Sequence, residues 1–150
     1  MSAQEQVRNW LREIGPLQLD ENGVASLTYD ETIQMVIEAP NGSPVFHLYA
    51  TVSTPPGEGR EAFYELLLKK NFLTLETNGA TFAINERTGE IVLCYSQPAD
   101  NLDAQAFKNL VGSFIETVEK WQERLGAPED AGGEEESDGA EEPAEFGIRV

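Results

Sequence analysis

Residues 32 to 53, TIQMVIEAPNGSPVFHLYATVS, contain two runs of alternating side chains separated by a turn. Residues 32–39 and 45–53 alternate with the period of two that is typical of a β-strand. The intervening residues, Pro40 to Pro44, include proline, asparagine and glycine, which favour a reversal of the chain. A third alternating run, residues 24–28, precedes them. We therefore predict an antiparallel meander of three strands.

Neither face of this meander is cleanly polar. In the third strand Val45 and Tyr49 alternate with Phe46 and Leu48, and Val36 adds apolar area to the same nominally outer face. A sheet face that is exposed to water does not need such side chains. We therefore expect a helix or a partner protein to cover it.

One amphipathic helix is predicted before the strands in the sequence, and another is predicted after them. Ser2 and Glu5 fit a capping box, and apolar residues then recur with helical spacing, which predicts a first helix over residues 3–14. Asp103 is a typical N-cap, and an apolar stripe continues from there to Leu125. Gly126 ends that last helix.

A further helix, predicted over residues 58–70, carries apolar side chains on more than one face. One face contains Ala62, Phe63, Leu66 and Leu67, and the neighbouring face contains Tyr64 and Leu68. Helices of this kind are usually buried on two sides. In so small a protein we expect the second neighbour to be another subunit.

Residues 80–85 and 90–97 read as a β-hairpin, with Gly89 in the turn. The order of elements is then αβββαββα. Helices packed on an antiparallel sheet define an α+β fold.

Charge excludes two classes of function. The 150 residues contain 27 Asp and Glu against 10 Lys and Arg, a net charge of −17. Such a field repels nucleic acids and anionic membranes, so we expect neither as a partner. The longest apolar run, residues 91–95, is far too short to cross a bilayer, and we expect a soluble, cytosolic protein. With one cysteine, Cys94, the chain has neither an internal disulfide nor a thiolate zinc cage.

The composition divides the chain into a folded domain, residues 1–127, and an acidic tail, residues 128–150. The tail holds nine acidic residues and one basic residue, Arg149, and we predict that it is disordered. Its apolar end breaks the pattern with Phe146, Ile148 and Val150. These three residues are either a fortuitous terminus or a segment that a protein surface binds.

A search for reactive side chains predicts no catalytic, cofactor or metal site. His47 lies within a strand without a partner acid or nucleophile at a recognisable spacing. Cys94 fits a small buried side chain better than a reactive thiol. The glycines at 57 and 59 lack the phosphate-binding pattern, and the acidic residues 134–138 lack the calcium-loop spacing. These absences favour a binding protein over an enzyme.

Five segments, taken in order, resemble one family, the class I type III secretion chaperones of the CesT/SycE-like group. They are LLLKKNF at 66–72, NGATFAIN at 78–85, TGEIVL at 88–93, Leu102-Asp103, and the helix from Phe107 to Trp121. The resemblance covers residues 3–125.

The resemblance implies a bacterial, cytoplasmic homodimer without nucleotide or metal. Such a protein holds the N-terminal segment of a secreted effector in an extended form and delivers it to the export apparatus. By position, the dimer contact would use Tyr64, Leu68, Phe72, Leu73 and Leu75. The effector-binding surface would draw on Trp10, Val24, Leu27, Ile33, Met35, Ile37, Val45 and Tyr49. One sequence does not decide which of the strand residues are exposed.

Two alternatives remain open. The same chaperone domain could sequester a regulator of secretion rather than an effector. Less favoured is an enzyme or a small-ligand protein on the same fold, for which the sequence offers no site. Neither the identity nor the number of clients follows from the sequence.

Overall fold

Five antiparallel strands and three α-helices make up residues 1–126, the part of the chain that this computed structural model describes. The helices are α1 (Ala3–Ile14), α2 (Arg60–Asn71) and α3 (Ala104–Leu125), and a 3-10 turn, Phe72–Thr74, follows α2. The strands are β1 (Val24–Tyr29), β2 (Ile33–Glu38), β3 (Val45–Ser53), β4 (Thr81–Ile84) and β5 (Ile91–Pro98). The predicted α+β class and the order αβββαββα are confirmed.

The sheet has the strand order β1-β2-β3-β5-β4. The first three strands form the predicted meander, with Ile37 opposite Leu48 in the pairing of β2 with β3. Strand β5 pairs with β3, so that Tyr49 lies opposite Cys94, and β4 forms the far edge. In the β4–β5 turn Gly89 has φ +78°, the left-handed conformation that its position in the hairpin predicts.

Local hydrogen bonds fix the ends of α1 and α3 where the sequence places them. The Glu5 amide donates to Ser2 Oγ at 3.1 Å, and the Ser2 amide donates to the Glu5 carboxylate at the same distance. In α3, the Ala106 amide donates to Asp103 Oδ1 at 2.9 Å. Each cap satisfies an amide that has no partner within its own helix.

Helix α2 begins two residues later than the sequence predicts. Gly59 has φ +77°, so the chain at this residue is left-handed and the helix starts only at Arg60. The predicted core-facing stripe is also wrong in part, because only Leu67 of the helix is buried and Leu66 is exposed. Leu66, Leu67 and Leu68 are consecutive and point in directions about 100° apart, so they do not share one face of a helix.

The core lies between one face of the sheet and helices α1 and α3. The alternate residues of β2 and β3 that point toward these helices are buried: Ile33, Met35, Ile37, Phe46, Leu48, Ala50 and Val52. Trp10 and Phe107 pack on Phe46 with ring centroids 6.3 and 5.4 Å away. At the other end of α3, Trp121 packs edge-on against Phe82 and donates from Nε1 to the carbonyl of Glu76 at 3.0 Å.

The two edges of the sheet differ in their hydrogen bonding. At β4, the Phe82 amide donates to Asn71 Oδ1 at 2.7 Å, and Asn71 Nδ2 donates to the Phe82 carbonyl at 3.2 Å. The end of α2 therefore occupies the outward main-chain groups of this edge. At β1, Asp20 engages both the amide and the carbonyl of Val24. Since outward-pointing residues alternate in an antiparallel ladder, Ser26 and Thr28 also point outward.

We expect Asn71→Ala to lower the free energy of unfolding by about 1–3 kcal/mol, because it leaves the Phe82 amide and carbonyl without their partner at a partly buried position. Asn109→Ala is the matched control, since the Asn109 side chain lies on the exposed side of α3 and bonds only Gln105. Urea unfolding monitored by circular dichroism measures both. An equal, small effect of the two substitutions would contradict the role of Asn71.

Candidate protein-binding surfaces

Large apolar side chains are exposed at the end of α2 and in the turn after it. Their exposed fractions are 70% for Leu68, 73% for Phe72, 67% for Leu73 and 57% for Leu75, with Leu66 at 39%. We call these five residues the α2–turn surface. Exposed apolar patches of this kind mark interaction sites on otherwise soluble proteins.

The backbone of the α2–turn surface is strained. Leu73 and Thr74 are consecutive left-handed residues, with φ +58° and +50°, and neither is glycine. The left-handed conformation costs roughly 1–2 kcal/mol for a residue with a Cβ atom, and a β-branched threonine is among the least tolerant. The fold thus holds Leu73 in an unfavourable conformation in which its side chain is mostly exposed. Strain that points a leucine outward is consistent with a contact that another polypeptide completes.

The structure brings together four of the five residues predicted for the dimer contact. Leu68, Phe72, Leu73 and Leu75 belong to the α2–turn surface, whereas Tyr64 is half-buried and packs beside Phe63, with ring centroids 5.9 Å apart. Their part in a dimer remains a prediction. Helical spacing groups Leu66 with Leu67, which is buried, and no sequence pattern indicates Ile84, which is 51% exposed on β4.

The side of the sheet opposite α1 and α3 forms a second surface, which we call the open sheet face. A row across it contains Val36, Tyr49, Cys94 and Thr81, which are neighbours on adjacent strands. The first three are half-buried, and Val45 is also half-buried near one end of β3. The apolar character of this face that the sequence predicts is therefore present.

Partial burial changes the acid–base properties of the open sheet face. Desolvation raises the pKa of Tyr49 above its ordinary value of 10.0, with the nearby Glu38 carboxylate acting in the same direction and Arg87 opposing them. Desolvation also raises the pKa of Cys94 above 9.0. Both groups are protonated at neutral pH, so Tyr49 offers a neutral hydroxyl and an aromatic ring to a partner.

Four residues predicted to bind an effector lie in the core instead. Trp10 is buried beneath α1 against Phe107, at a ring distance of 5.0 Å. Ile33, Met35 and Ile37 point from β2 toward the helices and are buried completely or almost so. The sequence leaves the exposure of the strand residues undecided, and the structure shows that the helices cover the face of β2 that carries its isoleucines and methionine. None of the four is available on the surface of residues 1–126.

The remaining predicted binding residues lie on both sides of the sheet. Val24, Val45 and Tyr49 point to the open sheet face, whereas Leu27 lies on the helix side and is half-buried at the β1 edge. Tyr29, which the sequence analysis did not select, is 44% exposed on the same side as Leu27. The apolar residues Phe146, Ile148 and Val150 lie outside the described residues.

His47 lies between polar side chains of the two neighbouring strands. His47 Nδ1 lies 2.7 Å from Ser96 Oγ, and the register places Glu38 on the other side of His47. Within residues 1–126, the Glu38 carboxylate accepts no hydrogen bond from the imidazole, as the acid that orients a catalytic histidine would. The same residues contain no cluster of three or more acidic, histidine or cysteine side chains suited to a metal ion.

None of the described helices is long and apolar enough to span a bilayer.

A protein-family model, that of the Tir chaperone protein (CesT) family, matches residues 10–122. No curated protein matches the chain. Among solved structures, a chain of the ExsC-ExsE complex is similar, with 26% sequence identity and a TM-score of 0.72, over 83% of this chain and 97% of that chain.

Two further solved complexes contain a chain of similar fold. A chain of the HopA1-SchA chaperone-effector complex has 16% identity and a TM-score of 0.62, with coverage of 80% of this chain and 92% of that chain. A chain of the ExoU-SpcU complex from the type III secretion system of Pseudomonas aeruginosa has 17% identity and a TM-score of 0.61, with coverage of 80% and 98%. At these identities the likeness concerns the fold.

We expect the stability of the fold to decrease at alkaline pH. The unfolded chain releases the Cys94 and Tyr49 protons near 9.0 and 10.0, whereas the folded chain holds them to higher pH, so the stabilisation is complete below pH 9 and falls as the pH rises above it. Urea unfolding between pH 7 and 10.5 measures the slope. Cys94→Ala should remove the decrease in the free energy of unfolding that begins near pH 9. Tyr49→Phe should reduce the further decrease above pH 10. An unchanged slope in Tyr49→Phe would contradict the assignment.

Proposed function

The chain belongs to the Tir chaperone protein (CesT) family, and on that premise we propose that it is a type III secretion chaperone that acts in the bacterial cytoplasm as a homodimer. It binds the N-terminal segment of a secreted effector, keeps that segment soluble and extended, and delivers it to the export apparatus. The observation that carries this proposal is the exposure of large apolar side chains at two separate places, the α2–turn surface and Tyr29 beside the β1 edge, on a domain that already encloses a core between the sheet and two helices.

A second copy of the chain is the partner that we assign to the α2–turn surface. Four of its leucines and Phe72 are exposed within ten residues, and Leu73 is held outward by a strained backbone. Burial of large apolar side chains contributes about 1.5–3 kcal/mol each, enough to favour a stable symmetric contact.

The client is assigned to the open edge of β1 and the side chains beside it. The outward amides and carbonyls of Ser26 and Thr28 have no partner among residues 1–126, so an extended client can add as a sixth strand. Side chains of such a strand alternate between the two sides of the sheet. On one side they reach Leu27 and Tyr29, and on the other they approach Val24 and the open sheet face.

Charge limits which segments are suitable clients. The described residues contain 18 of the 27 acidic residues and 9 of the 10 basic ones, because the other nine acids and Arg149 follow residue 127. The domain by itself therefore has a net charge of −9. A negative surface favours basic segments and repels acidic ones, so the proposed client segment is apolar at alternate positions and basic between them.

A regulatory chaperone that binds a secretion regulator would use the same surfaces. The difference lies in the partner rather than in the fold. Co-expression with the N-terminal parts of the proteins encoded next to this chain, followed by measurement of the soluble complex and its stoichiometry, identifies which kind of partner is held. We assign no catalytic step and no cofactor to either role.

We expect Leu68→Asp to convert the dimer into a monomer at micromolar concentration. A symmetric contact buries two new carboxylates at a cost of about 2–4 kcal/mol each, which weakens the dimer by roughly 1,000-fold or more. Sedimentation equilibrium should give twice 16.5 kDa for the unmodified chain and 16.5 kDa for the variant. Because Leu68 is 70% exposed, the circular dichroism spectrum of the variant should match that of the unmodified chain.

Tyr29→Asp is the matched control for Leu68→Asp. It places the same carboxylate on an exposed apolar side chain of β1, outside the α2–turn surface, and should leave the dimer intact. A dimer that survives Leu68→Asp and Leu73→Asp, or an unmodified chain that is monomeric at micromolar concentration, would contradict the assignment of the α2–turn surface.

The β1 edge is tested by Thr28→Pro with Thr28→Val as its control. Proline removes an outward amide that β2 does not use, and edge strands tolerate it. Valine keeps the amide and suits a strand. Isothermal titration calorimetry with the co-purifying client segment should show at least tenfold weaker binding for proline and little change for valine. Equal affinities of the two variants would place the client elsewhere.

A further inference from the structure

The last turn of α3 lies against the segment that carries the α2–turn surface. Trp121 Nε1 donates to the Glu76 carbonyl at 3.0 Å, and Arg124 Nη1 lies 3.5 Å from the Glu76 carboxylate. Glu76 directly follows Leu75 of that surface. The chain beyond Gly126 therefore begins beside the α2–turn surface rather than beside the β1 edge.

Local charge at this point differs in sign from that of the protein as a whole. The Glu76 carboxylate is shared by Lys70, at 3.1 Å, and Arg124, at 3.5 Å. Two cations with one carboxylate leave a local charge of +1, in a chain whose net charge is −17. Residues 128–150 contain nine acidic residues and one arginine, so the domain as a whole repels them, and Lys70 and Arg124 are cations beside the α2–turn surface that offset this repulsion locally.

The sequence after Gly126 ends in a segment suited to an apolar surface. Among residues 144–150 the large apolar side chains are Phe146, Ile148 and Val150, at every second position. Residues 128–143 contain no aromatic and no aliphatic side chain larger than alanine and proline. About 20 residues separate Gly126 from Phe146, which is ample chain length to reach a surface next to its origin.

We propose that residues 144–150 dock on the α2–turn surface of their own chain. Phe146, Ile148 and Val150 cover Phe72, Leu73 and Leu75, while the preceding acidic residues lie near Lys70 and Arg124. The segment occupies the surface in a lone chain, and a second copy displaces it when the dimer forms. This inference rests on the proposed function, since it assigns the same surface to the second copy.

The physical advantage of the arrangement is protection of an apolar surface before the dimer assembles. A tethered segment acts at an effective concentration of about 1 mM, so even weak docking is populated within one chain. The dimer, which buries a larger apolar area, still forms as the protein concentration rises. A self-docked chain cannot dimerise until its segment leaves the surface. The apparent affinity of the dimer is therefore reduced by the fraction of undocked chains, once for each of the two partners.

A peptide of residues 140–150 tests the docking directly. It is titrated up to 2 mM into the fluorescently labelled chain, with and without deletion of residues 144–150, at nanomolar protein concentration, below the micromolar range in which the dimer is expected. Microscale thermophoresis measures the binding. The full chain should bind the peptide about two- to tenfold more weakly than the deleted chain, because its own segment competes at about 1 mM. A peptide with serine in place of Phe146, Ile148 and Val150 keeps every charge and should not bind.

The site of docking is tested by substitutions in the deleted chain. Leu73→Asp should abolish peptide binding, whereas Tyr49→Asp, on the open sheet face, should leave it unchanged. The opposite result, or equal binding of the peptide to the full and the deleted chains, would overturn the proposal. So would an absence of binding up to 2 mM peptide, since the tethered segment would then be mostly undocked at about 1 mM.

Sedimentation equilibrium separates this inference from the proposed dimer. Deletion of residues 144–150 from the otherwise unmodified chain should tighten the dimer at least threefold. A chain that dimerises with the same affinity with and without the segment overturns the docking proposal alone. A chain that never dimerises but binds the peptide overturns the dimer alone.

Discussion

The packing of α1 and α3 on one face of the sheet is the constraint on which the rest of the structure depends. Trp10, Phe46 and Phe107 close the core at one end of α3, and Trp121 with Phe82 closes it at the other. With two helices committed to this face, the open sheet face has no comparable cover within residues 1–126. Helix α2 contributes one buried leucine to the core and presents the others to solvent.

The two edges of the sheet differ in which main-chain groups are already bonded. Asn71 occupies the main-chain groups of Phe82, and so the end of α2 closes the β4 edge while it positions the turn that carries Leu73. The β1 edge keeps outward groups at Ser26 and Thr28. In the proposed arrangement, a subunit contact at one end and a client at the other do not compete for the same atoms.

Charge and apolar surface act together in this protein. A net charge of −17 opposes nonspecific association of chains that expose Leu68, Phe72 and Leu73. The position shared by Lys70, Glu76 and Arg124 has the opposite local sign and lies next to the exposed leucines. In the proposed docking, Lys70 and Arg124 attract acidic residues toward the α2–turn surface, and apolar contact holds the segment there.

The sequence by itself determined the elements and their order, because these depend on short-range physics. Alternation defined the meander, Ser2 with Glu5 and Asp103 began the helices, and Gly89 turned the last hairpin. It also indicated that α2 is apolar on more than one side. The family resemblance followed from the same local segments.

Only the tertiary structure decided which side of each element is exposed. Alternation separates Met35 from Val36 but does not say which of them the helices cover, and the packing of α3 buried the methionine. The same holds for Trp10, whose stripe suits a core or a binding surface equally well. The periodicity of the sequence also did not indicate the exposure of Leu66 or of the strained Leu73. Their exposure depends on how α2 meets β4 through contacts between residues distant in sequence.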